Sequence, residues 1–481
     1  MQEGAARVGG IMAETETIEA PSGEQRHRGA LDPVMMMLAA MMLAIALTWI
    51  IPSGRHDRTS DKENAPVIAG TYKQLPKPIG LDALVPHAPQ PGVARPVSPV
   101  ALVTAIPEGL KRSAPLIFMI LMLGGMFGIL RSSGALDAGI QRLIGISRGD
   151  VRILVPVLML AFSAGSTFLG MISEYLLLIP VMIALADRMG RSRMFGFALV
   201  TLAAKIGYLA SVTSPVALLI AQPIVGVPVF SGLGFRLAIW LLFLGIAVLV
   251  VLRAGRVTHP PEPVTVERLS PRHLGILLIA GAAVSALVYG SIALGWDDGE
   301  FSALFILAAG GMAAVAGMRP AHAAHLFVGG MKMMMLAALL VGMGRAVEVI
   351  LREGQILDTI IEAVSVQIHG LPPVIVAPIV MAVEMVLTLL IPSTSAKAAL
   401  SIPVLGPIAA SAGVSGQTTV LAFLLGNGLV NMLAPTSGML LAYLAAAGIP
   451  YNQWFRFAFP IFLLLTALSV AAMMIAVVIG Y

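Results

Sequence analysis

Long apolar runs alternate with short polar links along this chain. The first run is 31–52, and others lie near 113–131, 151–186, 194–226, 233–252, 274–295, 301–318, 327–351, 372–411, 417–447 and 457–480. A bilayer core needs about 20 helical residues, so most runs predict one membrane-spanning helix. Runs 151–186, 194–226, 372–411 and 417–447 are too long for one straight span, and each predicts two elements or one broken element. Residues 1–30 are polar and mixed in charge, which predicts a disordered cytoplasmic tail. The run 31–52 begins too deep for an ordinary signal peptide and reads as a retained first transmembrane helix. The loop 53–98 is rich in proline and charge, and little regular structure is expected there.

Composition narrows the class. Apolar residues make up 58% of the 481 and charged residues 11%, against roughly 25% charged in soluble domains. A soluble enzyme is excluded on that balance. There is no cysteine, so disulfides, thiolate chemistry and cysteine metal sites are excluded too.

Charge placement sets the topology. Arg131, Arg142, Arg148 and Arg152 fill one link, Arg188, Arg191 and Arg193 a second, and Arg253, Arg256, Arg268 and Arg272 a third. Link 296–300 carries Asp297, Asp298 and Glu300 with no base. Basic links stay on the cytoplasmic side, which predicts a cytoplasmic N-terminus and an extracytoplasmic loop 53–98. Trp49, Trp240, Trp296 and Trp454 lie near span ends, where an interfacial belt would put them. The net charge of +5 therefore reads as cytoplasmic arginine and points to no nucleic-acid partner.

Segment 151–187 has arginine at both ends, so both ends should be cytoplasmic. It holds a polar knot, Ser163 to Thr167, and predicts a re-entrant helical hairpin. Segment 372–411 has its own knot at Pro392, Ser393, Thr394 and Ser395 and predicts a second. Non-helical backbone at membrane depth survives only when buried in protein or lining a cavity. With an offset of 223 residues, Pro180 falls on Pro403 and Thr213-Ser214 on Thr436-Ser437. Each Thr-Ser pair touches a proline, Pro215 or Pro435. Proline removes a backbone donor and opens a helix, so 194–226 and 417–447 predict two discontinuous helices.

The chain thus divides into repeat 1 (99–253), a basic cytoplasmic linker (254–273), linking transmembrane helices (274–318) and repeat 2 (327–481). An odd number of crossings between the repeats inverts the second. The predicted fold class is an all-α polytopic membrane protein built from two inverted-topology repeats. Inverted repeats with matched broken helices point to a secondary-transporter site near the bilayer midplane.

Ionisable residues at depth are functional candidates. These are Glu174, Lys205, Glu384 and Lys397. Lys397 could stand beside a substrate carboxylate, replace a coupling cation, or pair structurally; Glu384 favours the structural role. Lys205 could snorkel or pair with Glu174. Polar groups cluster at the knots and breaks: Ser166, Thr167, Thr213, Ser214, Ser393, Thr394, Ser395, Asn427, Asn431, Thr436 and Ser437. Half-helix N-termini suit a carboxylate, while carbonyls and hydroxyls suit a cation or a proton-linked water. One such hydroxyl alone would merely bond its own backbone. No cofactor or metal cluster is expected, and the Met runs at 35–37 and 333–335 read as apolar filling. Gly124 and Gly128 form a Gly-x-x-x-Gly pattern suited to close helix approach. A Ser–Lys intramembrane hydrolase lacks the elbow and the acid–His partners it would need, so no enzyme is expected.

The stretch Ala204-Lys205-Ile206-Gly207-Tyr208 through Pro215, with Ala221 to Val229 and Ser231-Gly232, resembles the YfcC-like branch of the C4-dicarboxylate anaerobic carrier family. So do Ala398 to Pro403, Gln417 to Phe423 and Pro435-Thr436-Ser437. That family holds DcuC-type carriers and arginine–ornithine exchanger-like proteins, within the ion transporter superfamily. The resemblance covers about 100–481. It implies a scaffold domain and a mobile transport domain in each protomer, a homodimer, elevator-type movement, and placement in the cytoplasmic (inner) membrane of a bacterium. It implies substrate and coupling ion at 163–167, 213–215, 392–395 and 435–437.

The sequence departs from that pattern. Lys205 and Lys397 stand where glutamine is familiar, and Ser214-Pro215 where Asn-Pro is. A lysine beside an ion site repels Na⁺ at low dielectric, which favours H⁺ over Na⁺ as coupling ion. The expected function is secondary active transport of a small carboxylate-bearing solute such as a C4-dicarboxylate, an amino acid or a short peptide. The alternatives are an ion channel or a proton/ion exchanger using the same cavity.

Overall fold

The computed structural model describes residues 32–60, 67–68, 70–86, 92–146, 150–255, 257, 270–365 and 370–481. The expected N-terminal tail and most of the basic linker 254–273 lie outside the described residues. Helices dominate, and nine among the described residues are long and apolar enough to cross a membrane.

Helix α1 (Pro33–Ile50) starts where its chemistry allows. The Asp32 side chain accepts from the Val34 and Met35 amides, and Pro33 sits at the first position, where no donor is needed. The loop that follows is more ordered than its composition suggests. A two-residue antiparallel pair, β1 (Gly54–Arg55) with β2 (Lys73–Gln74), is anchored when Ser53 Oγ donates to Gly354 O at 2.7 Å and the His56 amide to Asp358 Oδ2 at 2.8 Å. Residues distant in sequence supply the partners that the local sequence lacks.

Helices α2 (Ala101–Arg112), α3 (Ala114–Ser132) and α4 (Ala135–Ile146) follow. Next come α5 (Val151–Leu169), a 3₁₀ turn (Ser173–Leu177), α6 (Leu178–Arg188), α7 (Arg193–Ala210), α8 (Pro215–Ile224) and α9 (Leu233–Ala254). Helix α10 (Pro271–Tyr289) ends in a π-helical turn, and α11 (Asp298–Val315) begins with a capping box between Asp297 and Glu300. Helix α12 (Pro320–Glu353) runs for 34 residues. It outgrows the apolar run 327–351 because nothing breaks it between Pro320 and Gly354. The chain closes with α13 (Leu357–Ser365), α14 (Pro373–Leu390), α15 (Thr394–Ser411), α16 (Gly416–Asn431), α17 (Gly438–Ala447) and α18 (Tyr451–Val478).

The knot at Ser163 to Thr167 departs from expectation: it is helical. Its hydroxyls find partners without opening the helix, for Ser166 Oγ donates to Ala204 O at 2.8 Å and Ser163 Oγ accepts from Trp240 Nε1 at 2.7 Å. The break comes at Gly170 instead, where φ is +76°, a conformation that glycine adopts without penalty.

Two packing groups emerge. Helix α12 lies along α2, α3 and α17. Gly124 and Gly128 of α3 face Gly330 of α12 so closely that a Cβ on Gly330 would sit 2.1 Å from Gly124 O. In the other group α5, α6 and α9 pack on α7, while α14, α15 and α18 pack on α16, and α7 meets α16.

Candidate functional site

Four interruptions lie between helices: 170–172 after α5, 211–214 between α7 and α8, 391–393 between α14 and α15, and 432–437 between α16 and α17. Side chains join them. At the first pair, Thr167 Oγ1 accepts from the Val212 amide at 3.0 Å, Thr167 O from the Thr213 amide at 3.1 Å, and Thr213 Oγ1 donates to Phe168 O at 3.2 Å. The α5 C-terminus and the α7–α8 break therefore satisfy one another. Ser214 precedes Pro215 at the start of α8; its Oγ is buried and has no hydrogen-bond partner among the described residues.

The other two interruptions meet across the halves. Asn427 Nδ2 donates to the Tyr208 hydroxyl at 2.6 Å and to Thr394 Oγ1 at 3.3 Å, and Tyr208 and Thr394 share a hydrogen bond. Asn431 Nδ2 donates to Asn427 O at 2.9 Å. A chain of α7, α15 and α16 side chains thus runs through an otherwise apolar interior. Ser393 Oγ caps α15 by accepting from the Ala396 amide, and Ser437 Oγ caps α17 by accepting from the Leu440 amide. Ser395 is half-buried in the first turn of α15, and Thr436 Oγ1 is buried without a partner among the described residues. Tyr443 of α17 donates to Ile172 O at the first interruption, tying all four into one region.

The four deep charges separate. Lys397 and Glu384 form an ion pair at 3.1 Å between Nζ and Oε2, with side chains 0% and 1% exposed. Lys397 Nζ also donates to Thr388 Oγ1 at 2.7 Å and lies 4.6 Å from the centroid of the Phe423 ring. Its charge is thus matched inside the protein, and it is not among the residues lining the 310 Å³ cavity below. Glu174 and Lys205 do not pair. Glu174 Oε2 accepts from the Ile172 amide at 2.8 Å and from Ser173, which holds it on its own turn. Lys205 is 2% exposed, and its Nζ sits 5.7 Å from the Tyr443 ring centroid with no hydrogen bond or ion pair among the described residues.

A cavity of about 310 Å³ opens where the α15 and α17 N-termini face α2, α11 and α12. Ser393 and Gly438 line one side, and Arg112, Asp298, Arg345 and Glu348 the other. Glu348 is 2% exposed and held by two guanidiniums, Arg345 Nη1 at 2.6 Å and Arg352 Nε at 2.9 Å. Arg345, Asp298 and Tyr208 were not singled out from the sequence as site residues. Arg345 and Glu348 carried a readable signal, since charges inside an apolar run are rare. Tyr208 carried none, because an aromatic residue in an apolar helix reads as packing.

A family model described as the C4-dicarboxylate anaerobic carrier, DcuC, matches residues 32–478. The "Putative basic amino acid antiporter YfcC" of Escherichia coli (strain K12) is 27% identical over 495 aligned positions, covering 94% of this chain and 97% of that protein. An uncharacterized protein of Haemophilus influenzae is 24% identical, covering 88% of this chain and 92% of its own length. Two solved structures align at 15% identity. The Alcanivorax borkumensis YdaH transporter has a TM-score of 0.45, covering 94% of this chain and 99% of its own. Neisseria gonorrhoeae MtrF has a TM-score of 0.41, covering 92% and 95%. The protein is a multi-pass membrane transporter, and with a match across nearly its whole length the chain belongs to the C4-dicarboxylate anaerobic carrier family.

Proposed function

We propose that the protein is a secondary active transporter of a small carboxylate-bearing solute. The observation that carries this is the convergence of four helix interruptions on one polar region that adjoins the 310 Å³ cavity. Interrupted helices leave amides and carbonyls unspent at depth, and these can replace the water shell of an ion or a polar solute. The family description, C4-dicarboxylate carrier, and the relative named as a basic amino acid antiporter share one chemical demand, a carboxylate.

Reciprocal packing supports an inverted repeat. Helix α8 of the first half packs on α15 of the second, while α17 of the second packs on α6 of the first. That exchange suits a pseudo-two-fold relation with α5/α6 and α14/α15 as re-entrant pairs. In this reading α7 and α16 with their partners form the mobile body, α3 and α12 form the scaffold, and movement is elevator-like. The arginine-rich links support a cytoplasmic N-terminus in a bacterial inner-membrane protein, and in this reading two copies form the working unit.

Lys397 with Glu384 supplies a fixed internal charge pair in place of a bound cation. Lys205, buried and without a counter-charge among the described residues, is the group whose protonation couples transport to a proton gradient. Saturable uptake into proteoliposomes, driven by an imposed proton gradient and lost in Lys205→Met, is the expected result. A steady single-channel current with no saturation would overturn the carrier reading in favour of a channel.

A further inference from the structure

Each short helix beyond a break is followed by a long one, α8 by α9 and α17 by α18. The fourth residue of each long helix reaches back to that break. In the second half it is Trp454, whose Nε1 donates to Met432 O at 2.9 Å, while the Tyr451 hydroxyl donates to Leu433 O at 2.5 Å. In the first half it is Arg236, whose Nη2 donates to Val212 O at 3.1 Å and to Ser231 O at 2.7 Å. Both side chains are 0% exposed. Neutral donors therefore satisfy carbonyls of the second break, and a full positive charge takes that place at the first. The guanidinium is surrounded by oxygen dipoles. Its Nη1 donates to the Tyr481 hydroxyl at 3.3 Å, its Nε is buried without a hydrogen-bond partner, and Arg236 forms no ion pair among the described residues. Its Nη2 also bridges the two ends of 212–231, the segment that holds α8. Gln222 of α8 helps to close that segment, donating to Ser231 O at 3.0 Å and accepting from the Phe230 amide at 2.6 Å.

We propose that Arg236 is a tethered cation, its guanidinium standing where a metal ion would otherwise bind at the α7–α8 break and excluding Na⁺ from it. Carbonyl and hydroxyl oxygens gathered round a positive centre are the ligand set of a hard cation. An arginine keeps its charge in a protein and stays with the chain, so it stabilises the break without being carried across the membrane. A small cation beside it would meet like-charge repulsion at low dielectric. The position matters for the second half as well. Helix α8 packs on α15 and α16 through Ala217, Leu218 and Ala221 against Ala398, Ile402 and Phe423, a cluster separate from the main core. By holding both ends of 212–231, Arg236 sets where α8 lies on that cluster. Within the transporter reading, on which this consequence rests, ion coupling passes to groups other than a metal ion at the first break.

The test uses the full chain solubilised in detergent and needs no solute. Melting temperatures are recorded in sodium, lithium, potassium and choline chloride at one ionic strength, and binding of radioactive sodium is measured beside them. The variants are Arg236→Lys and Arg236→Gln, which lose the same planar fork and differ in charge. The expected result is that wild type and Arg236→Lys melt alike in sodium and choline chloride and bind no radioactive sodium. Arg236→Gln melts lower in choline chloride, regains most of that loss in sodium chloride, and binds radioactive sodium. Millimolar guanidinium restores Arg236→Gln in choline chloride and competes with the bound sodium. Should Arg236→Gln not survive extraction in choline chloride, its recovery by extraction in sodium chloride is the same readout. A sodium response that is equal in wild type and Arg236→Gln, or equal in the two variants, would reduce Arg236 to a structural donor and overturn the proposal. Because no solute enters the measurement, that failure leaves the transporter reading standing, and a failure of uptake leaves this result untouched.

Discussion

Lys205 and Lys397 occupy comparable places, one on α7 and the other on α15, each almost fully buried. Their surroundings differ in polar partners. Lys397 has a carboxylate at 3.1 Å, a hydroxyl at 2.7 Å and an aromatic face. Lys205 has an aromatic face alone among the described residues. Burying a charge is costly unless it is paired and hydrogen-bonded; Lys397 meets that condition, and Lys205 has no counter-charge among the described residues. Two buried lysines in one fold thus differ in whether the protein itself supplies the counter-charge.

The largest effect should come from breaking the matched pair. Lys397→Met leaves Glu384 buried with an uncompensated charge, at a cost of about 3–5 kcal/mol. Denaturation in detergent measures it, and the double variant Lys397→Met/Glu384→Met should recover most of the loss. A single variant as stable as wild type would erase the contrast between the two lysines.

Next comes the polar chain beside that pair. Asn427→Ala removes a shared donor from the Tyr208 and Thr394 hydroxyls, leaving them only each other, and should cost about 1–3 kcal/mol, with coupling to Tyr208→Phe in a double-mutant cycle. Additive losses would mean that the two do not act as a unit.

Much of the fold was legible before the structure. Apolar runs and arginine links mark an all-helical membrane chain because hydrocarbon admits few alternatives. Pro215 marks a helix start because it lacks a donor, and α8 begins there. The true end of α5 was not legible. Ser163 to Thr167 is polar enough to suggest a break, but Trp240 and Ala204, far along the chain, absorb its hydroxyls. The Arg345–Glu348–Arg352 cluster was visible as charge in an apolar run, yet its place beside Asp298 in one cavity lining, 47 residues away in sequence, was not.

The smallest effect sharpens the comparison from the other side. Lys205→Met removes a charge with no counter-charge, so stability should change by less than about 1 kcal/mol or improve, while proton-driven uptake is lost. A destabilisation equal to that of Lys397→Met would show that Lys205 has a partner after all.

The sequence by itself determined the solvent, most of the helices and the proline-marked start of α8, because hydrocarbon length and proline act within a few residues. Only the tertiary structure decided which buried charge is matched. Pairing depends on distances of about 3 Å between side chains, here spanning 13 residues for Lys397 and Glu384 and the whole molecule for Tyr208, Thr394 and Asn427. Coulomb and hydrogen-bond energies depend on distances in space, which residue order alone does not fix.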